Sequence, residues 1–183
     1  ELLEMIRNGE NSGVEFKRDD IQPRDLAEGL VELANLEGGC ILLGVENNGG
    51  ISGLTRSAQQ AEEWVMSVAR DKIRPEMIPY FEVVREVEPG KDVAVVRAQR
   101  GYKVHHVLHN NHRTYYIRVG TQSREASQDE LERLFQQRGM FRLEVRPVSG
   151  SSLNDFDKRR LRDYFSRLNI QQTPAEPESE ESQ

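Results

Sequence analysis

Glu10 and Glu15 stand five residues apart, and the basic pair Lys17-Arg18 follows at once. Two carboxylates near paired bases are a donor set that a hard cation such as Mg²⁺ uses when it bridges a protein to a phosphate. The same run also reads as a solvated loop with ordinary charges. A second stretch, Tyr115-Tyr116-Ile117-Arg118-Val119-Gly120, continues to Arg124. Arginine interleaved with aromatics and small polar residues suits a surface that grips a phosphate backbone and stacks on bases. An edge strand with solvated charges has the same pattern. Four imidazoles, His105, His106, His109 and His112, fall close together. Such spacing could bind zinc or copper, but strand alternation sends His105 and His106 to opposite faces. A polar turn, partly protonated near pH 6.5 and adding to a basic patch, is the reading adopted for them.

Other chemistries find no support in the sequence. There is no GxxxxGK[ST] phosphate loop, no GxGxxG after a strand and no GxSxG elbow. Cys40 is the only cysteine, so a disulfide scaffold and a four-cysteine zinc site are excluded. It sits in the apolar run Cys40-Ile41-Leu42-Leu43 and reads as a small buried hydrophobe. No apolar run approaches the roughly 18 residues of a membrane helix, so no membrane partner is expected and the location expected is cytoplasmic. The chain opens at Glu1 without Met, which reads as a segment of a longer protein.

The net charge of −6 argues at first against nucleic acid, but it is unevenly spread. Beyond residue 170 there are four Glu and no base, whereas Lys91 through Arg124 hold seven Lys or Arg against the single acid Asp92. All four histidines also lie in that basic segment. A local positive region attracts phosphate even within an acidic chain.

Periodicity supplies the elements that would position these groups. Residues 1–8 read as a helix ended by Gly9, and Val14-Glu15-Phe16-Lys17 as a short strand. Pro23 opens a helix to about Leu36 with Leu26, Leu30, Leu33 and Ala34 on one stripe, widened by Ala27 and Val31. Cys40 to Val45 is a buried strand, followed by a turn at Asn47-Asn48-Gly49-Gly50. Gln59 to Lys72 is a further helix. Strands are expected over Tyr80–Glu88 and Val93–Gln99, then a hairpin from Val104 to Val119 turning at Asn110-Asn111. Tyr115–Val119 should alternate as a half-buried strand. Ser127 with Glu130 is a capping box that opens a helix to about Gln137, and a last helix is expected over Phe156–Leu168. The order implies an α+β fold, a mixed β-sheet flanked by helices. The expected domain layout is a nucleic-acid-binding domain over 1–142, a helical appendage over 143–170 and a disordered acidic tail over 171–183.

Three pieces in order carry a family resemblance: Val14-Glu15-Phe16-Lys17, then Ala34-Asn35-Leu36-Glu37-Gly38-Gly39 running on through Gly44-Val45-Glu46-Asn47-Asn48-Gly49, then Tyr115 to Ser127. Together they resemble the Schlafen/Alba-like DNA-binding domain, from about Glu10 to Leu134. The resemblance implies an α+β domain that binds DNA or RNA, often the N-terminal module of bacterial transcription-regulator-like proteins. In animal Schlafens a related fold cuts structured RNA with three carboxylates and a divalent cation. Glu10 and Glu15 match two of those positions, and the third corresponds to Asn47, with Glu46 just before it. A one-residue displacement on a strand turns a side chain to the other face, and Asn47 can ligate only through a neutral amide. The zinc-binding Cys/His set of those proteins has no counterpart.

Three functions follow as expectations. The leading one is a nucleic-acid-binding module, for DNA or RNA, in which Lys17, Arg18, Lys103, Arg113, Arg118 and Arg124 contact phosphates and Tyr115 or Tyr116 stacks. It requires no cofactor for binding. The second is an endoribonuclease dependent on Mg or Mn, with Glu10, Glu15 and Glu46 as catalytic carboxylates and Asn47 as the remaining metal ligand. The third is an oligomerisation domain that pairs through a sheet edge as a homodimer.

Overall fold

The computed structural model describes residues 1–139, together with 157, 159 and 160. The compact unit to which the first stretch belongs spans Glu1–Phe141. The expected appendage over 143–170 and tail over 171–183 lie outside the described residues, apart from those three positions.

The expected α+β architecture is present. A four-stranded sheet has the order β1-β2-β5-β4, built from β1 (Val14–Lys17), β2 (Gly38–Leu43), β4 (Tyr80–Glu88) and β5 (Lys91–Gln99). β1 and β2 run parallel and the other pairs antiparallel, so the sheet is mixed. The central strand β2 is covered on both sides, which is why it reads as a continuous apolar run. Ile41 and Leu43 face α2 (Pro23–Asn35) and α3 (Ala58–Lys72) in one core cluster. Cys40 and Leu42 face a second cluster with Phe16 and with Ile6 of α1 (Leu2–Asn8). Cys40 is a buried free thiol, as its neighbours in sequence implied.

α2 begins with Pro23 in its first turn, where a missing N–H costs nothing. Nine of its thirteen residues are buried, because the sheet, α3 and later strands surround it. Its fully buried Leu26, Leu30 and Leu33 each contribute about 1.5–3 kcal/mol through removal from water. α3 starts at a capping box made by Ser57 and Gln60.

The second half departs from a single long hairpin. β6 (His106–His109) and β7 (His112–Thr114) do turn at Asn110-Asn111, both at positive φ of 46° and 63°, the requirement of a tight type I′ turn. They form a three-stranded sheet with the short β3 (Ile73–Arg74). The chain then makes a separate hairpin of β8 (Tyr116–Val119) and β9 (Gln122–Glu125). The expected half-buried alternation of β8 fails: Tyr116, Ile117 and Arg118 are all buried, since β8 lies against α2. α4 (Gln128–Gln137) opens at the expected capping box of Ser127 and Glu130.

Candidate functional site

Alternation along β1 decides where its charges go. Val14 and Phe16 join the α1 side, so Glu15 and Lys17 point toward α2. Gly29 of α2 leaves the space they need, for a Cβ there would lie 2.8 Å from Glu15 Oε2. Glu15 Oε1 receives Lys17 Nζ at 2.6 Å. Arg118 Nη1, from β8, sits 3.2 Å from Glu15 Oε2 and 2.5 Å from Glu32 Oε1 of α2. The Arg118 side chain is only 1% exposed and that of Glu32 is 0% exposed. Burial, and then the neighbouring Glu15 carboxylate, push the Glu32 carboxyl up to about 7, against an opposing pull from Ser123 and Arg118. Glu15 Oε2 and Glu32 Oε2 are buried oxygens lacking a hydrogen-bond donor. Burial beside Glu15 thus favours the protonated form of Glu32.

The same arginine closes the outer edge of the sheet. Its Nε donates to Asn11 O at 3.0 Å and its Nη2 to Val14 O at 3.4 Å. Beside it the Glu10 carboxylate accepts from Phe16 N at 2.8 Å. Asn35, at the end of α2, donates to His105 O and Tyr116 O and accepts from His105 N. The Tyr116 hydroxyl meets Arg24 at 3.0 Å. The three segments that carried the family resemblance therefore meet in one buried polar junction. A buried cluster of charged groups fixes how elements dock, and truncating one member leaves the others unpaired at a cost of about 3–5 kcal/mol.

That junction corrects two expectations. Arg118 was placed among the phosphate contacts and Tyr116 among the stacking candidates, yet both are buried because β8 packs on α2. The carboxylates expected to hold a divalent cation have other partners here. Glu15 is paired with Lys17 and Arg118, Glu10 accepts from the Phe16 amide, and the half-buried Glu46 lies 3.7 Å from Arg18. Asn47 occupies the turn closed by Gly49 N to Glu46 O at 2.8 Å, after the strand has ended. Among the described residues no three His, Cys, Asp or Glu side chains converge as metal ligands.

Of the remaining expected cations, Arg18 makes a two-point bridge to Asp20 and Arg124 makes one to Glu130. Hydrogen bonds from Arg124, and then from Ser127, hold the Glu130 carboxyl down to about 2. Lys103 and Arg113 are exposed and have no ion-pair partner among the described residues. Tyr115 is half-buried, its ring 5.0 Å from that of His106 and 5.9 Å from that of Phe135. His105 and His106 are both buried, and desolvation keeps their pKa values below the usual range. Burial thus makes them weaker bases than free imidazoles, so they add less positive charge than expected. After desolvation, the influences that depress His106 are the charges of Arg113, His105 and Arg74. Arg138 acts likewise on His105, and Arg100 on Arg138. Arg138 also donates to the carbonyls of Ala34, Asn35 and Leu36 at the end of α2.

Sequence reasoning also missed Asp19. Its Oδ2 accepts from Thr55 N, Thr55 Oγ1 and Arg56 N, and its Oδ1 pairs with Arg56 Nη1 at 2.6 Å. Burial, the largest influence, pushes its pKa up, but the hydrogen bonds of Thr55 and Arg56 together hold it below the usual range. Arg56 also stacks 4.2 Å above the Trp64 ring, so Asp19 ties the end of β1 to the start of α3.

With this geometry in hand, known proteins give the following likenesses. The family model described as Schlafen, AlbA_2 matches residues 10–127. The DIP2311 protein of Corynebacterium diphtheriae superposes with a TM-score of 0.54 at 16% identity, over 88% of this chain. The chain spans 31% of that protein's length. The N-terminal domain of an ATP-dependent DNA helicase RecG-related protein from Nitrosomonas europaea gives a TM-score of 0.45 at 23% identity, over 55% of this chain and 71% of that one. Among curated proteins none matches. No helix among the described residues is long and apolar enough to cross a membrane.

Proposed function

This chain belongs to the Schlafen AlbA_2 family, and from that membership we propose that its Glu1–Phe141 unit binds nucleic acid, chiefly by phosphate contacts beside the β6–β7 hairpin. The observation that supports the reading best is the pair Lys103 and Arg113. Of the six cations expected to meet phosphate, these two are exposed and unpaired among the described residues. The others are buried or already bridged to carboxylates. Phosphate contacts carry affinity without base information, so binding is largely independent of sequence.

Salt titration of binding to labelled DNA and RNA tests this. Affinity should fall steeply between about 50 and 200 mM salt. A Lys103→Ala, Arg113→Ala double variant should weaken binding to all sequences alike and lower the salt slope by about 2. Affinity that does not change with salt overturns the reading. Cleavage can be scored in the same samples with Mg²⁺, Mn²⁺ or EDTA. The nuclease alternative lacks an assembled carboxylate set to support it, and metal-dependent cleavage would replace the binding reading with an enzymatic one.

A further inference from the structure

We propose that Tyr102 is a stacking platform for an unpaired nucleobase, so that this unit takes single-stranded or looped nucleic acid in preference to duplex. The inference rests on the nucleic-acid reading above and specifies its ligand. Tyr102 lies in the loop between β5 and β6 and is 96% exposed, more than any other large apolar side chain described. A lone exposed apolar residue is common and needs no explanation by itself. Three further observations give this one a direction.

First, cations flank Tyr102 along the chain. Arg100 precedes it by two residues and the exposed Lys103 follows it. Base stacking beside phosphate-binding cations is the combination that holds single strands, because every base offers a π-face whatever its identity.

Second, the loop is fastened on both sides of the ring. Gly101 N donates to Ala34 O at 2.9 Å, and His105 N donates to Asn35 Oδ1 at 2.8 Å. His105 Nδ1 also lies 2.8 Å from Pro75 O. A Cβ at Gly101 would come within 2.6 Å of the His105 ring, so the chain sits directly on that imidazole. An aromatic displayed from a fixed loop loses little conformational freedom when it stacks.

Third, an open cleft of about 500 Å³ adjoins the loop at Arg100, with Arg97, Gly38 and Gly39 also in its lining. Arg100 is partly engaged by Glu37 at 3.1 Å, and Arg97 lies 3.9 Å from Glu1. Both arginines are nearly half-exposed and can turn to a phosphate. A strand whose phosphates meet Arg100 there contacts the chain two residues from Tyr102. A duplex keeps its base faces stacked on each other and offers none to the ring.

The test uses the full 183-residue chain and fluorescently labelled oligonucleotides of about 12 nucleotides, a length within the range one small domain covers. Single-stranded DNA, single-stranded RNA and a duplex of equal length are compared by anisotropy for wild type, Tyr102→Ala, Tyr102→Phe and the Lys103→Ala, Arg113→Ala double variant. We expect wild type to prefer single strands. Tyr102→Ala should weaken single-strand binding by about 5- to 150-fold, the equivalent of one stacked base, and leave duplex binding unchanged. Tyr102→Phe should retain single-strand affinity. If Tyr102→Ala binds single strands as wild type does while the double variant is weakened, the stacking role is overturned and the phosphate reading stands. If wild type binds none of the three, both fall together.

Discussion

Glu32 is a fully buried carboxyl group on α2, and burial favours its protonated form. Its pKa of about 7 in the folded chain lies above the ordinary 4.5. The folded state therefore holds the proton more tightly, so this contribution to stability is complete below the ordinary value and is lost as pH rises toward 7. His105 and His106 act in the opposite sense: their depressed pKa values withdraw stability as pH falls below 6.5. The two effects separate in a difference measurement. Glu32→Gln should equal wild type near pH 5 and become more stable than it by about 1–3 kcal/mol near pH 8, read from urea midpoints. An identical difference at both pH values would rule out a protonated Glu32. Part of this was legible. Glu32 lies between Leu30-Val31 and Leu33-Ala34, and a helix apolar nearly all round buries its acids too, which then need partners. The partner was not legible, because Arg118 is 86 residues away and nothing local marks it as buried.

At the scale of the element, Gly29 sets two preferences against each other. Glycine inside a helix costs about 1 kcal/mol relative to alanine, so propensity alone favours Gly29→Ala. The added Cβ, however, would stand 2.8 Å from Glu15 Oε2 and 2.9 Å from Ile41 Cδ1. Overpacking should prevail, and Gly29→Ala should lose about 1–3 kcal/mol in thermal or denaturant unfolding. A gain in stability would show that α2 can move away from β1. Elements with local punctuation lie where the sequence placed them: α2 behind Pro23, α4 behind Ser127 and Glu130, the turn at Asn110-Asn111. β3, β9 and the burial of β8 were not readable, since each depends on distant partners.

At the scale of the whole molecule, the two edges of the four-stranded sheet differ. β1 is shut by Glu10 and Arg118, whereas β4 ends in an irregular register between Val84 and Glu88 and carries Glu82, Arg85, Glu86 and Glu88. Bulges and charges are the usual means of discouraging strand addition. The regular stretch Tyr80–Val84, with Tyr80 exposed, is the remaining edge for the homodimer expected from the sequence. Light scattering at micromolar concentrations should then give twice the 21.0 kDa chain mass. A single-chain mass throughout would mean that the charges on β4 prevail. The site was less legible than the fold for a general reason. Sequence patterns indicate which residues carry charge, but the pairing that cancels it arises only when distant segments meet.

The shut edge of β1 has a consequence for the order of synthesis. Glu10 guards Phe16 from six residues away and can act as soon as both have left the ribosome. Arg118 reaches Val14 across 104 residues, which at about 5–20 residues per second means a delay of roughly 5–20 s. During that interval the Asn11 and Val14 backbone groups have only each other, with Asn11 N donating to Val14 O at 3.0 Å, and a chain stalled before β8 would lack the long-range contact that Arg118 adds.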